Sequence, residues 1–109
     1  MTRTFIYTAQ FRRCWQAMGL GDKELTILED ALLKDPQLGA VIEGTDGTRK
    51  LRIQLEGCGK RGGGRVIYLD VYEKEHLYLL FAYPKNVQPD LTTDQKKMIA
   101  AVVNAIRKE

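Results

Sequence analysis

The sequence is poor in the residues on which several common chemistries depend. It has one histidine, His76, and two cysteines, Cys14 and Cys58, in 109 residues. A single imidazole excludes a two-histidine acid and base pair and leaves a histidine-centred metal site without a second ligand. Because the cysteines form no C-x-x-C motif, we predict reduced thiols in a cytosolic protein.

Long apolar runs are absent as well. The longest strongly apolar run, 77–83, is far too short to span a bilayer, and residues 1–15 contain three arginines and no signal-peptide run. A hydrophobic fraction of 44% and a charged fraction of 28% are typical of a globular protein. We therefore expect one domain over residues 1–109, located in the cytoplasm, with no membrane partner.

Paired acidic residues and nucleotide-binding motifs are also missing. The aspartates show no D-x-D spacing, which argues against a two-metal nuclease. The segment G-C-G-K-R, residues 57–61, lacks the spacing and the Ser or Thr of a P-loop. We expect no metal and no cofactor. What remains is binding or catalysis by guanidinium and ammonium groups.

Positive charge is concentrated between Arg49 and Arg65. This stretch has six basic residues against one acid, Glu56, whereas the whole chain carries a net charge of only +3. Its first half alternates between an aliphatic set and a polar set, namely Leu51, Ile53 and Leu55 against Lys50, Arg52 and Gln54. Alternation with a period of two predicts a half-buried strand with a basic outer face. Arg49 shares the parity of the aliphatic residues.

A glycine-rich segment follows the basic strand. Residues 57–64 contain five glycines together with Lys60 and Arg61, and Arg65 then opens a second apolar run. We predict a hairpin whose loop and flanks present cations to a polyanion. The alternative interpretation is an ordinary solvated strand face with a flexible turn.

The other elements follow from hydrophobic periodicity and capping signals. We predict a strand over 4–8, a helix over 9–18, a helix from an Asp22 cap to Asp35-Pro36, a connector over 37–48, strands over 65–72 and 76–83, and a final helix capped by Thr92. The last two strands are apolar at both parities, so we expect them at the centre of the sheet. The order is β-α-α-β-β-β-α, an α/β fold of the α+β type with a mainly antiparallel sheet flanked by helices.

Three segments in order carry a family resemblance. They are D-P-Q-L-G-A-V-I-E-G-T-D-G-T-R-K-L-R-I from Asp35, G-K-R-G-G-G-R-V-I-Y from Gly59 and F-A-Y-P-K-N from Phe81. The sequence resembles the RelE/HigB superfamily of bacterial type II toxins over nearly its whole length, and most of all the HigB-type branch. The resemblance implies a small fold with a concave basic sheet face. It also implies an endoribonuclease that cuts messenger RNA in the ribosomal A site without a metal and so inhibits translation.

The resemblance also implies catalytic roles for basic residues. Lys50 and Arg52 resemble a basic pair that engages the scissile phosphate and assists proton transfer. Arg65 resembles an arginine that stabilises charge in the transition state. Lys85 occupies the place of a basic residue that contacts the leaving group or a phosphate.

One position departs from the family pattern. Many members have a tyrosine or histidine near the C-terminus that stacks on a base or transfers a proton, and residues 84–109 contain neither. Tyr83 is the nearest substitute by position, although a tyrosine there is equally typical of a core. Arg49, Lys60 and Arg61 are expected to bind RNA.

The resemblance implies three partners, which are a cognate antitoxin with a DNA-binding domain, the ribosome and messenger RNA. Contact with DNA would then be indirect, through the antitoxin. A second hypothesis is a non-catalytic protein that binds nucleic acid through the basic face, or that inhibits DNA gyrase as the related ParE branch does. The basic strand would look the same in both cases.

Overall fold

The computed structural model describes residues 2–54 and 63–109. These residues form β1 (Thr4–Tyr7), α1 (Ala9–Ala17), α2 (Asp22–Lys34), β2 (Ala40–Val41), β3 (Arg49–Ile53), β4 (Gly64–Val71), a 3₁₀ turn (Tyr72–Lys74), β5 (His76–Pro84) and α3 (Thr93–Arg107). The five strands make one sheet in the order β1-β5-β4-β3-β2. Only the β1–β5 pair among them is parallel, so the mixed α+β class with a mainly antiparallel sheet is confirmed.

The two most apolar strands, β4 and β5, lie at the centre of the sheet, as their sequences predict. Every residue from Leu77 to Tyr83 is buried. Helices α1 and α2 cover one face, where the buried side chains include Val66, Tyr68, Phe11, Trp15, Leu28 and Leu32. Helix α3 covers the other face, where they include Ile67, Phe81, Ile99, Val103 and Ile106. Central strands need apolar residues at both parities because both of their faces are covered.

The predicted cap of α2 is wrong by one residue. Asp22 is the first helical residue, and the N-cap is Gly21, whose backbone N–H donates to the Glu24 carboxylate at 2.7 Å. Glu24 at N3 thus bonds the N–H of the cap residue, which is the half of a capping box that the N3 side chain supplies. The predicted cap of α3 is confirmed, since Gln95 N donates to Thr92 Oγ1 at 3.1 Å.

The predicted connector over 37–48 contains a fifth strand. Strand β2 has two residues and pairs with β3, with Ala40 opposite Lys50 and Val41 opposite Arg49. Both β2 residues are exposed, so this strand leaves no alternation of buried and exposed side chains in the sequence. Two residues are too few for a periodic signal.

Helix α3 is anchored at both ends to the connecting segments. At its C-terminal end Arg107 Nε lies 3.1 Å from Asp46 Oδ2, and Arg107 Nη2 donates to the Asp46 carbonyl at 2.9 Å. At its N-terminal end Gln88 Nε2 donates to Gln95 Oε1 at 2.7 Å. The Arg107 contacts join α3 to the connector before β3, and the Gln88 contact joins α3 to the segment that leaves β5.

Gly39 is expected to tolerate no side chain. A Cβ atom there would lie 2.8 Å from the Lys50 carbonyl oxygen and 3.0 Å from Tyr68 Cε1, and the Gly39 N–H donates to Tyr68 Oη at 2.9 Å. We predict that Gly39→Ala lowers the free energy of unfolding by about 1–3 kcal/mol, because the crowded backbone must move. Chemical denaturation measures this change. Gly21→Ser is the control, since serine suits an N-cap and its Cβ meets only Glu24 Oε1 at 3.6 Å; an equal loss in both variants would contradict the steric explanation.

Candidate functional site

Pairing of β3, β4 and β5 brings four predicted site residues onto one side of the sheet. Arg52 of β3 lies opposite Arg65 of β4, and Arg65 lies opposite Tyr83 of β5. Lys50 of β3 lies opposite Ile67 of β4. Lys50 is two residues from Arg52 along β3, so both side chains are on the same face. Directly opposed residues share a face, with Cβ atoms about 5 Å apart. We call Lys50, Arg52, Arg65 and Tyr83 the cationic face; it is on the side covered by α3.

Arg65 is the most unusual member of the cationic face. It is only 7% exposed, and Nη1 donates to the Gly64 carbonyl at 3.0 Å. No carboxylate of residues 2–54 or 63–109 lies within salt-bridge distance of its guanidinium. A guanidinium carries five N–H donors, and the like-charged Arg52 lies directly opposite it. An unpaired buried cation costs free energy that a bound anion would offset.

Tyr83 places a phenol beside that guanidinium. It is 2% exposed, and its hydroxyl has no hydrogen-bond partner among the described residues. Burial raises the pKa of Tyr83 above its usual value, and the Asp90 carboxylate adds to the rise, whereas Arg65 opposes it. The phenol therefore keeps its proton at neutral pH. A neutral, unpartnered hydroxyl can donate a hydrogen bond or a proton to an anion bound at Arg65.

Asp90 is a member of the site that the sequence did not indicate. Asp90 lies in the connection between β5 and α3, and its Oδ1 is 3.5 Å from Lys50 Nζ. The pKa of Asp90 is lowered, first by a hydrogen bond from the Leu91 N–H and then by the nearby charge of Lys50. No local pattern marks Asp90, because its partner belongs to a distant strand.

The structure does not bring all of the predicted residues together. Arg49 lies on the opposite face, where Nη1 donates to the Gly39 carbonyl at 2.7 Å and to the Gln37 carbonyl at 3.3 Å. It holds the connector in place, and its role in RNA binding stays a prediction. Lys85 follows β5 directly, is half-buried, and donates its backbone N–H to Gly63 at 3.1 Å.

The predicted loop cations Lys60 and Arg61 lie outside the described residues. Within residues 2–54 and 63–109, no group of three or more His, Cys, Asp or Glu side chains is placed to hold a metal ion. No helix of that same part of the chain has the length and apolarity needed to cross a membrane.

One cavity shares Arg52 with the cationic face but is otherwise lined mainly by the helices on the opposite side of the sheet and by β3. It is an open groove of about 410 Å³ between α2 and the edge of β3, lined mainly by apolar side chains such as Leu28 and Leu51. The charged residues at its margin are Glu24 and Arg52. In the part of the chain that the structure describes, neither of the two buried polar atoms without a partner, His76 Nδ1 and Tyr83 Oη, lines this groove.

Comparison with known proteins identifies the fold. No protein-family model matches the chain. A solved structure of the E. coli toxin RelE, a double arginine-to-alanine mutant in the free state, is similar with a TM-score of 0.55 and 16% sequence identity. The match covers 82% of this chain and 90% of the RelE chain. The chain therefore has a RelE-like fold.

Proposed function

Since a RelE-like fold here carries a cationic face, we propose that the protein is the toxin of a type II toxin-antitoxin system, of the HigB type. Its activity is that of a ribosome-dependent, metal-independent endoribonuclease that cleaves messenger RNA in the A site and so inhibits translation. The observation that carries the proposal is the buried Arg65 guanidinium, placed between Arg52 and the neutral phenol of Tyr83. Three groups that suit a phosphate converge there without an acidic partner for Arg65 among the described residues.

RNA supplies its own nucleophile for the reaction. The 2′-oxygen bonds to phosphorus as the bond from phosphorus to the 5′-oxygen breaks; the 2′-hydroxyl loses a proton and the 5′-oxygen gains one. The protein must align these atoms and stabilise the extra negative charge of the phosphorane. In this proposal Arg65 and Arg52 would bind the phosphorane oxygens, and Lys50 would hold the phosphate. Tyr83, which keeps its proton, would protonate the 5′-oxygen.

The remaining basic residues would extend the contact with RNA. Lys85 leaves β5 next to the end of the cationic face and would contact the leaving group or the next phosphate. Arg49, Lys60 and Arg61 would bind the message or ribosomal RNA. Such contacts with the phosphate backbone give affinity and orientation without sequence preference.

The proposed partners follow from the same function. Residues 1–109 act as a single toxin domain in the cytoplasm, on the ribosome and its message. A cognate antitoxin with a DNA-binding domain neutralises the toxin, and the pair contacts DNA only through the antitoxin. The description of RelE as a toxin supports this proposal.

Primer extension on a defined message in purified ribosome complexes tests the proposed function. We expect cuts within the A-site codon with the wild-type protein, and at least about tenfold slower cleavage with Arg52→Ala, because one cation is lost from the phosphorane. Arg13→Ala is the matched control, since Arg13 is an exposed arginine of α1 that donates only to Gln10 Oε1 at 2.8 Å. It should cut at the wild-type rate.

Intact messages in the presence of a folded protein that still arrests growth would contradict the proposal. DNA damage signalling in the same cells would then favour inhibition of DNA gyrase. Equal cleavage by Arg52→Ala and Arg13→Ala would remove Arg52 from the mechanism.

A further inference from the structure

A carboxylate that the proposed RNA chemistry does not use lies beside the cationic face. Asp90 Oδ1 lies 3.5 Å from Lys50 Nζ, and the two side chains are 61% and 32% exposed. The two other ion pairs of the described residues, Arg3–Asp70 and Arg107–Asp46, involve no residue of the cationic face. Asp90 is therefore the acid that neutralises charge where RNA is proposed to bind.

The position of the Asp90 carboxylate is set by the backbone around it. The Leu91 N–H donates to Asp90 Oδ1 at 2.8 Å, so the oxygen that faces Lys50 is fixed by a backbone hydrogen bond. The Asp90 carbonyl accepts from Gln88 Nε2 at 2.9 Å, and Gln88 is itself bonded to Gln95 of α3. A side chain fixed in this way loses little additional conformational freedom when it pairs with Lys50.

A carboxylate oxygen and a phosphate oxygen are equivalent partners for an ammonium group. Because both side chains remain accessible to solvent, one anion can replace the other without burial of an unpaired charge. We propose that Asp90 is a built-in counter-ion of Lys50 that single-stranded RNA must displace, so that Asp90 limits the affinity of the cationic face for RNA. This inference rests on the RNA-binding part of the proposed function, and does not require that the RNA is cleaved.

Two electrostatic effects agree with this role. Lys96, on the first turns of α3, adds to the lowering of the pKa of Asp90, so the carboxylate stays ionised at neutral pH and competes fully with phosphate. Asp90 also adds to the raised pKa of the buried Tyr83.

The affinity of single-stranded RNA as a function of salt tests the inference. We expect Asp90→Asn to bind a 12-nucleotide RNA, labelled for fluorescence anisotropy, about two- to fivefold more tightly at low salt, the range of an exposed ion pair. The slope of log K against log salt should steepen by about 0.7, the value for one more neutralised phosphate on a single strand. Asp94→Asn is the matched control, since Asp94 is an exposed acid in the first turn of α3 and makes no ion pair among the described residues.

The effect must also depend on Lys50. In a Lys50→Ala background, Asp90→Asn should leave the slope unchanged, because the cation that it would release is absent. Weaker or unchanged binding by Asp90→Asn, or an equal gain with Asp94→Asn, would overturn the inference, as would a wild-type protein that binds no RNA. Failure of ribosome-dependent cleavage, with the predicted order of RNA affinities intact, would instead refute only the nuclease activity.

Discussion

Replacement of Arg65 by methionine is expected to lower the rate of RNA cleavage by at least about 100-fold, the cost of losing one preorganised charge at a transition state. The same change is expected to raise the free energy of unfolding by about 1–3 kcal/mol, because a buried cation with few partners gives way to an apolar chain of similar length. Only 7% of Arg65 is exposed, so bulk water offsets little of this cost. Denaturant titration and single-turnover cleavage on ribosome complexes measure the two effects.

The opposite signs of these effects separate a functional role from a structural one. If Arg65 served the fold, its replacement would lower activity and stability together. Arg13→Met is the matched control, because that side chain is exposed on α1, and it should change neither quantity appreciably. A less stable Arg65→Met protein would contradict the assignment of Arg65 to an anion site.

Replacement of Tyr83 by phenylalanine is expected to slow cleavage by about 10²-fold, the lower range for a positioned proton donor. Stability should stay the same or rise by about 1 kcal/mol, since a buried hydroxyl that finds no hydrogen-bond partner within residues 2–54 and 63–109 has lost its hydration without compensation. The ring still packs on Phe81, whose centroid lies 6.1 Å away. Cleavage kinetics and thermal unfolding of the same preparation provide the measurements.

Tyr68 provides an internal comparison for Tyr83. It is fully buried in the neighbouring strand, but its hydroxyl accepts from the Gly39 N–H at 2.9 Å and donates to the Pro36 carbonyl at 2.8 Å. We expect Tyr68→Phe to lower the free energy of unfolding by about 1–3 kcal/mol, because two buried backbone groups lose their partner. Its cleavage rate should be near that of the wild type. If the two substitutions cost equal stability, the Tyr83 hydroxyl has a partner in solution.

The parts of the site that local patterns encode could be predicted from the sequence. Alternation of Leu51 and Ile53 with Lys50 and Arg52 indicates both the strand and its basic face, since side chains on a strand point to alternate sides. Two apolar runs without alternation indicate the central strands, and Thr92 with Gln95 indicates the start of α3. Each of these signals lies within a few residues of the feature that it predicts.

The parts that depend on tertiary proximity could not be predicted. Parity places Arg49 on the aliphatic side of its strand, but only the folded chain shows that it donates to the carbonyls of Gln37 and Gly39. Asp90 occurs in an irregular connection, and its ion pair with Lys50 of β3 forms only when the chain folds. A short exposed pairing such as β2 has no sequence signature at all.

The parallel pairing of β1 with β5 has a consequence for the order of folding. Residues 4–7 pair with residues 76–79, so β1 has no partner until almost three quarters of the chain is available. The cationic face comes instead from β3, β4 and β5, which follow one another in the sequence and pair with their neighbours. Local contacts close at lower entropic cost and form faster than distant ones. The cationic face is thus expected to assemble early in folding. Strand β1, which completes the sheet, is expected to pair last.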